Sequence, residues 1–213
     1  MEDQTPGDEE EKSTLARKGE EALDKLYSTA LHGIPMVSCS VDDYLSKHDT
    51  IEEAAAALVR AQVLKCGTSG FLTGIGGLIT LPVMVPANMS SVFYVQMRMI
   101  AAIAAMGGYD VKSDQVKTLV YVCLTGTSVA DLLKEAGIKA GEQVVLSAIK
   151  RIPGAVLTKI NQRIGFRFIT KFGEKGVVNL GKCVPVVGAV IGGGVDVVST
   201  RAIGKRAIAE FIS

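Results

Sequence analysis

Apolar residues recur at three- and four-residue spacing along most of the chain. No stretch sustains a period-two alternation, and no Asn-Gly hairpin signal occurs. The pattern predicts an all-α protein. Leu15, Ala22, Leu23, Leu26 and Ala30 mark one face of a first helix, which Ser13 can cap and which Gly33 and Pro35 end. One or two helical turns follow over 40–48. Thr50 with Glu53 three residues later is a capping-box pair, in which hydroxyl and carboxylate each satisfy a backbone donor. The helix it opens continues through Ala54, Leu58, Val63 and Leu64. A helix over 87–106 has a small face (Ala87, Ser91, Tyr94, Arg98, Ala102, Ala105) and a larger one (Met89, Val92, Phe93, Gln96, Ile100, Ile103), and Gly107 and Gly108 stop it. Ser113 caps another helix through Leu119, Val122 and Leu124, interrupted at Gly126. Helical character resumes over 131–136. Residues 141–172 read as helix broken at Pro153 and Gly154, and 184–212 as a last long helix or hairpin.

Charge changes this picture in one place. No charged residue occurs over 66–97, a run of 32 residues, longer than the roughly 20 that span a bilayer. The run is rich in glycine and broken by Pro82 and Pro86, so it does not read as a simple span. Gly67, Gly70, Gly74 and Gly77 share one helical stripe, and a second Gly-rich segment holds Gly188 and Gly192. A glycine costs up to about 1 kcal/mol at an interior helical position. Such a stripe therefore predicts a second helix backbone at close range. The expected architecture is a compact multi-helix bundle: a glycine-zipper hairpin at 66–106 packed with the C-terminal helix at 184–212. Along the chain, 1–11 reads as a disordered acidic lead, 12–49 as an N-terminal helical segment and 50–213 as the main helical domain.

The net charge of +1 hides a strong polarity, from −9 over 1–53 to +8 over 134–213. It predicts either an internal electrostatic contact or a basic tail that meets anionic phosphates. Cys39, Cys66, Cys123 and Cys183 lie far apart without a CxxC spacing and read as reduced, buried thiols. The acidic N-terminus has no apolar h-region, so no secretory signal is read there and the expected location is cytoplasmic.

Three stretches together carry a resemblance: TGIGGLITLP at 73–82 running into PAN at 86–88, then QMR at 96–98 leading to AAIAAMGGYD at 101–110, and VPVVGAVIGG at 184–193 with STR at 199–201. The combination resembles the EcsC protein family of bacteria over most of the chain after about residue 50. It is more distantly similar to helical, membrane-associated domains behind some dynamin-like and Era-like GTPases. The family is named after a protein encoded beside two components of an ABC transporter. The resemblance thus implies a helical fold and a membrane connection, with no activity attached. Asn88 departs from the pattern, since related sequences often carry aspartate there.

No catalytic constellation is legible. The glycines at 74–77 lack the GK[ST] of a phosphate loop and follow no strand. His32 and His48 fall in no metal-ligand spacing, so neither metal nor cofactor is expected. Arg98, Gln96 and Asp196 are polar groups in apolar stretches. Unpaired burial of a charge costs several kcal/mol, so Arg98 is expected to pair with Asp196 across two small-faced helices, with Asn88 nearby. Arg163, Arg167, Lys171 and Lys175, interleaved with Phe166, Phe168, Ile169 and Phe172, form a candidate basic patch. Such a patch suits an anionic membrane surface, a solvated face that balances the acidic head, or, less well, nucleic acid. The expected function is a non-enzymatic accessory or adaptor, peripheral to or partly inserted in the inner membrane, with a transporter component as its protein partner. The alternatives are a soluble lipid-binding protein or hydrolase-like enzyme with an apolar pocket near Arg98, and a subunit that self-associates through its small-residue faces.

Overall fold

The computed structural model describes residues 6–32, 37–67, 87–126, 152–172 and 191–212. These residues form seven helices and no strand: α1 Pro6–His32, α2 Val37–Leu45, α3 Ile51–Gly67, α4 Ala87–Met106, α5 Asp114–Thr125, α6 Gly154–Phe172 and α7 Ile191–Phe211.

Local sequence explains several boundaries. The Thr50 hydroxyl accepts from the Glu53 amide at 3.2 Å, which starts α3 as the capping pair predicts. The Ser113 hydroxyl accepts from the Val116 amide at 3.3 Å, and Gly126 closes α5 in the left-handed conformation at φ 69°. Pro153 directly precedes α6. The first helix differs from expectation. It begins at Pro6 rather than at Ser13, so 6–11, expected as part of a disordered lead, are its first turns. Proline suits the first helical turn, and the carboxylates that follow favour its positive end. Within 12–49, Leu23, Leu26, Val37 and Val41 belong to the same core as the later helices.

α4 is the axle of the bundle. Val92, Phe93, Val95, Met97, Met99 and every residue from Ile100 to Ala104 are buried, and the helix packs on α1, α2, α3, α5 and α7. A helix apolar on all sides must be enclosed. The part of the uncharged run at 92–97 is therefore covered by protein. Two helix pairs flank this axle. α1 lies along α6 in the most extensive helix contact among the described residues, and α3 along α7 in the second. The C-terminal helix thus packs with α3 and with α4, the second arm of the expected 66–106 hairpin, whose first arm lies outside the described residues.

Helix directions follow from which residues meet. Gly204 faces Val59 while Thr200 meets Cys66, so α7 is antiparallel to α3. Gln96 meets Thr200 and Met99 meets Gly204, so α4 runs parallel to α7. Phe168 packs at a tilt against Phe93 near the start of α4, at 5.0 Å between ring centres. Thr118 and Asn161 meet early in α5 and α6. Both of those helices therefore run toward the end of the bundle where α4 begins. The C-termini of α3 and α6 and the N-termini of α4 and α7 consequently gather at one end.

Candidate functional site

Three polar clusters interrupt the apolar core. The first joins α1, α5 and α6. Asp24 accepts from the Tyr121 hydroxyl at 2.6 Å and from Lys117 Nζ at 3.2 Å, and Lys117 also reaches Asp114 at 3.4 Å. The buried Thr118 hydroxyl sits 2.9 Å from Asn161 Oδ1. Tyr27 packs edge-on against Tyr121 and donates to the Val111 carbonyl at 2.6 Å. Burial, and then Asp24, push the Tyr121 hydroxyl pKa well up. Burial opposes the charge of Lys117, but Asp24 and Asp114 outweigh it and raise its pKa. Burial, with Asp24 next, also raises the Glu20 carboxyl. In this network the charges pair with one another and the buried hydroxyls find acceptors. It ties three helices together and offers no activated nucleophile.

The second cluster joins α3, α4 and α7. Gln96, only 2 % exposed, donates from Nε2 to the Thr200 hydroxyl at 3.0 Å and to the Ser199 hydroxyl at 3.2 Å. Thr200 in turn lies 3.6 Å from the buried Cys66 Sγ. Gln96 Oε1 has no hydrogen-bond partner. Rotating the amide exchanges the orphaned atom without removing the deficit, since one end of the amide still finds no hydrogen-bond partner.

The third is built around Arg98. Its guanidinium donates to the Ala30 carbonyl at 3.1 Å and to the Ser40 hydroxyl at 3.1 Å, clamping α1 and α2 onto α4. The residue points inward, as expected of a cation on a small-residue face. Gln96 and Arg98 lie two residues apart, about 200° around the helix. They serve opposite sides of α4, Gln96 toward α7 and Arg98 toward α1 and α2, so they do not share one site.

The remaining candidates fall as follows. Asn88 sits in the first turn of α4, and Gly192 and Asp196 in the first two turns of α7. The expected pairing of Arg98 with Asp196 lies outside the described side chains. Arg163 is exposed and Arg167 half-buried on the outer side of α6, and Lys171 is in its last turn. Gly67 is the last residue of α3, while Gly70, Gly74, Gly77, Lys175 and Gly188 lie outside the described residues. Cys66 and Cys123 are buried and in no disulfide, and burial pushes the Cys123 thiol up to about 12. Such a thiol is inert. Among the described residues no three His, Cys, Asp or Glu side chains gather to hold a metal ion.

Sequence reasoning missed the Asp24, Lys117 and Tyr121 network, whose members lie up to 97 residues apart. The available signal was weaker: Thr118 and Asn161 are polar residues at positions where the helical pattern is apolar. It also missed Gly19 and Gly165, isolated glycines inside helices, a combination that usually marks close packing.

The EcsC protein family model matches residues 20–211. The chain belongs to the EcsC protein family. The match takes in α1 from Glu20 onward and reaches the end of α7, so the family domain starts well before the residue-50 boundary read from the motifs. No curated protein and no solved structure matches this EcsC-family chain significantly. Among the described residues no helix is long and apolar enough to cross a membrane.

Proposed function

We propose that this chain is a non-enzymatic helical adaptor that docks peripherally on the inner membrane, as an accessory to an envelope transport system of the ABC type. The observation that carries this reading is where its uncharged segments attach. The uncharged run leaves the C-terminus of α3 and returns at the N-terminus of α4, and α7 begins within a second uncharged stretch at 183–195. All three junctions lie at the same end of the bundle. Two apolar, glycine-rich segments brought to one end suit contact with a lipid boundary better than a position in the core, which α4 already fills. The transporter partner is the class that the family resemblance implies.

Flotation of the full chain with vesicles tests the reading. Binding to phosphatidylglycerol-containing vesicles, weaker on pure phosphatidylcholine and partly released by high salt, is expected. A monodisperse protein that floats with neither vesicle at any salt concentration overturns it. The lipid-binding alternative rests on one observation, the orphaned Gln96 Oε1. It predicts a stoichiometric lipid retained by the purified protein, read by mass spectrometry of an organic extract.

A further inference from the structure

The exposed side chains of the α3–α7 pair point to a specific docking face. Leu64 is 71 % and Val198 69 % exposed, against 42 % for Ile51 and 36 % for Leu45, the other exposed large apolar residues among those described. Folding therefore leaves two aliphatic residues more than two-thirds in water. They are not scattered. Val59 and Gly204 mark the line where α3 and α7 touch, and Cys66 with Thr200 continues it. At about 100° per residue, Leu64 lies roughly 140° from Val59 around α3, and Val198 roughly 120° from Gly204 around α7. Both sit on the side of the pair turned away from α4, and the antiparallel pairing brings them to a similar level, near the end where the uncharged segments join.

Their neighbours on that side are cations. Arg60 on α3 and Arg201 and Lys205 on α7 are all exposed and fall on the same outer face. Among its described side chains the acid on α3, Glu53, lies eleven residues before Leu64, about 16 Å away at 1.5 Å per residue. Two bare aliphatic side chains ringed by three cations match the boundary of an anionic bilayer, where hydrocarbon takes the side chains and phosphates meet the charges.

The basic side of α6 is a weaker match. Glu20 reaches Gln162 while Ala16 meets Gly165, so α1 runs antiparallel to α6, and the exposed Glu9, Glu10 and Glu11 lie eight to ten residues beyond the Gly19–Gly165 crossing, in the direction in which α6 runs. The acidic head is thus carried toward the C-terminal end of α6, where it offsets the basic row. Among the described residues no comparable acidic run faces the outer side of α3 and α7.

We infer that the outer face of the α3–α7 pair, with Leu64 and Val198 entering the boundary and Arg60, Arg201 and Lys205 on the phosphates, is the surface that docks on anionic lipid. This rests on the membrane-peripheral reading above and names its surface. The chain contains no tryptophan, so single Trp reporters are unambiguous. Val198→Trp and Leu64→Trp are expected to shift their emission to the blue on phosphatidylglycerol vesicles, and Thr158→Trp on the exposed side of α6 is not. Leu64→Ser with Val198→Ser is expected to weaken vesicle binding roughly tenfold or more, since two aliphatic side chains no longer leave water. Arg201→Gln with Lys205→Gln is expected to weaken it more than Lys159→Gln with Arg163→Gln, an equal change of charge. If the wild type binds vesicles but only the Trp at 158 shifts, or the α6 pair has the larger effect, the surface assignment is overturned and the membrane reading stands. If the wild type binds no vesicle, the membrane reading falls and the surface assignment with it.

Discussion

The α1–α6 and α3–α7 pairs solve the same problem in different ways. Each is an antiparallel pair of long helices beside α4, the first packed on it through α1 and the second through both members, and each crosses at glycine. In α1–α6 both sides of the crossing are glycine. A Cβ on Gly19 would fall onto the Gly165 carbonyl, and one on Gly165 would lie 2.8 Å from the Ala16 carbonyl oxygen. Backbone meets backbone there. In α3–α7 one glycine suffices: a Cβ on Gly204 would meet the Val59 methyls at 2.7 Å and the Met99 methyl at 3.3 Å. The first pair is further locked by the Asp24, Lys117 and Tyr121 network, while the second carries the orphaned Gln96 amide inside and two bare aliphatic side chains outside. The difference teaches where the fold stores rigidity and where it leaves surface for use.

Four substitutions would break or sharpen that contrast. The largest effect is expected from Gly165→Ala. Its neighbours are backbone atoms, so the helices must part, costing about 3 kcal/mol. For a chain of this length that is a fall in Tm of roughly 6–12 °C. Truncating a neighbouring side chain should not rescue it, and a Tm unchanged within a degree would refute the backbone contact. Next is Tyr121→Phe. It removes a hydrogen bond to a carboxylate that keeps its Lys117 partner, with an expected loss of about 1–2 kcal/mol in denaturant unfolding. No loss would mean that the network adds nothing to α1–α6.

Gly204→Ala is expected to cost about 1 kcal/mol, because a side chain rather than a backbone must give way. Here a rescue exists: combining it with Val59→Ala should bring stability closer to wild type than the sum of the two single effects, which a double-mutant cycle reads directly. An additive result would place the Gly204 contact elsewhere. The smallest effect is expected from Glu20→Gln. The Glu20 carboxyl is raised in the folded state, so that state binds more protons between the ordinary carboxylate pKa and the raised value. Stability contributed by this group falls as pH rises through that window. Removing the charge should therefore raise Tm by about a degree at pH 7 and leave it unchanged at pH 3, where both forms are protonated. A difference that persists at pH 3 would show that packing, not charge, is at work.

Much of the helical layout was legible because its signals are local. Thr50 and Ser113 cap helices through hydroxyls a few residues from the amides they serve. Gly107, Gly108, Gly126 and Pro153 end or precede helices through backbone geometry alone. The start of α1 was misplaced because an acidic, apolar-poor stretch reads as disorder, whereas Pro6 and the acids after it suit a helix N-terminus. Of the candidate site, the inward direction of Arg98 was legible from the small face around it. Its partners, the Ala30 carbonyl and the Ser40 hydroxyl, were not, because a carbonyl leaves no mark in a sequence.

What the sequence determined by itself was the class of the fold, the family and the concentration of uncharged residues around α4. These depend on periodicity, motif and composition, which the order of residues carries directly. Only the tertiary structure decided that Gly19 and Gly165 form a crossing, that Gln96 and Arg98 serve opposite sides of α4, and that Leu64 and Val198 share one bare face among cations. Each of those facts joins helices distant in the chain, and the joining is set by how the packed faces of several helices fit together at once. No single segment holds that information.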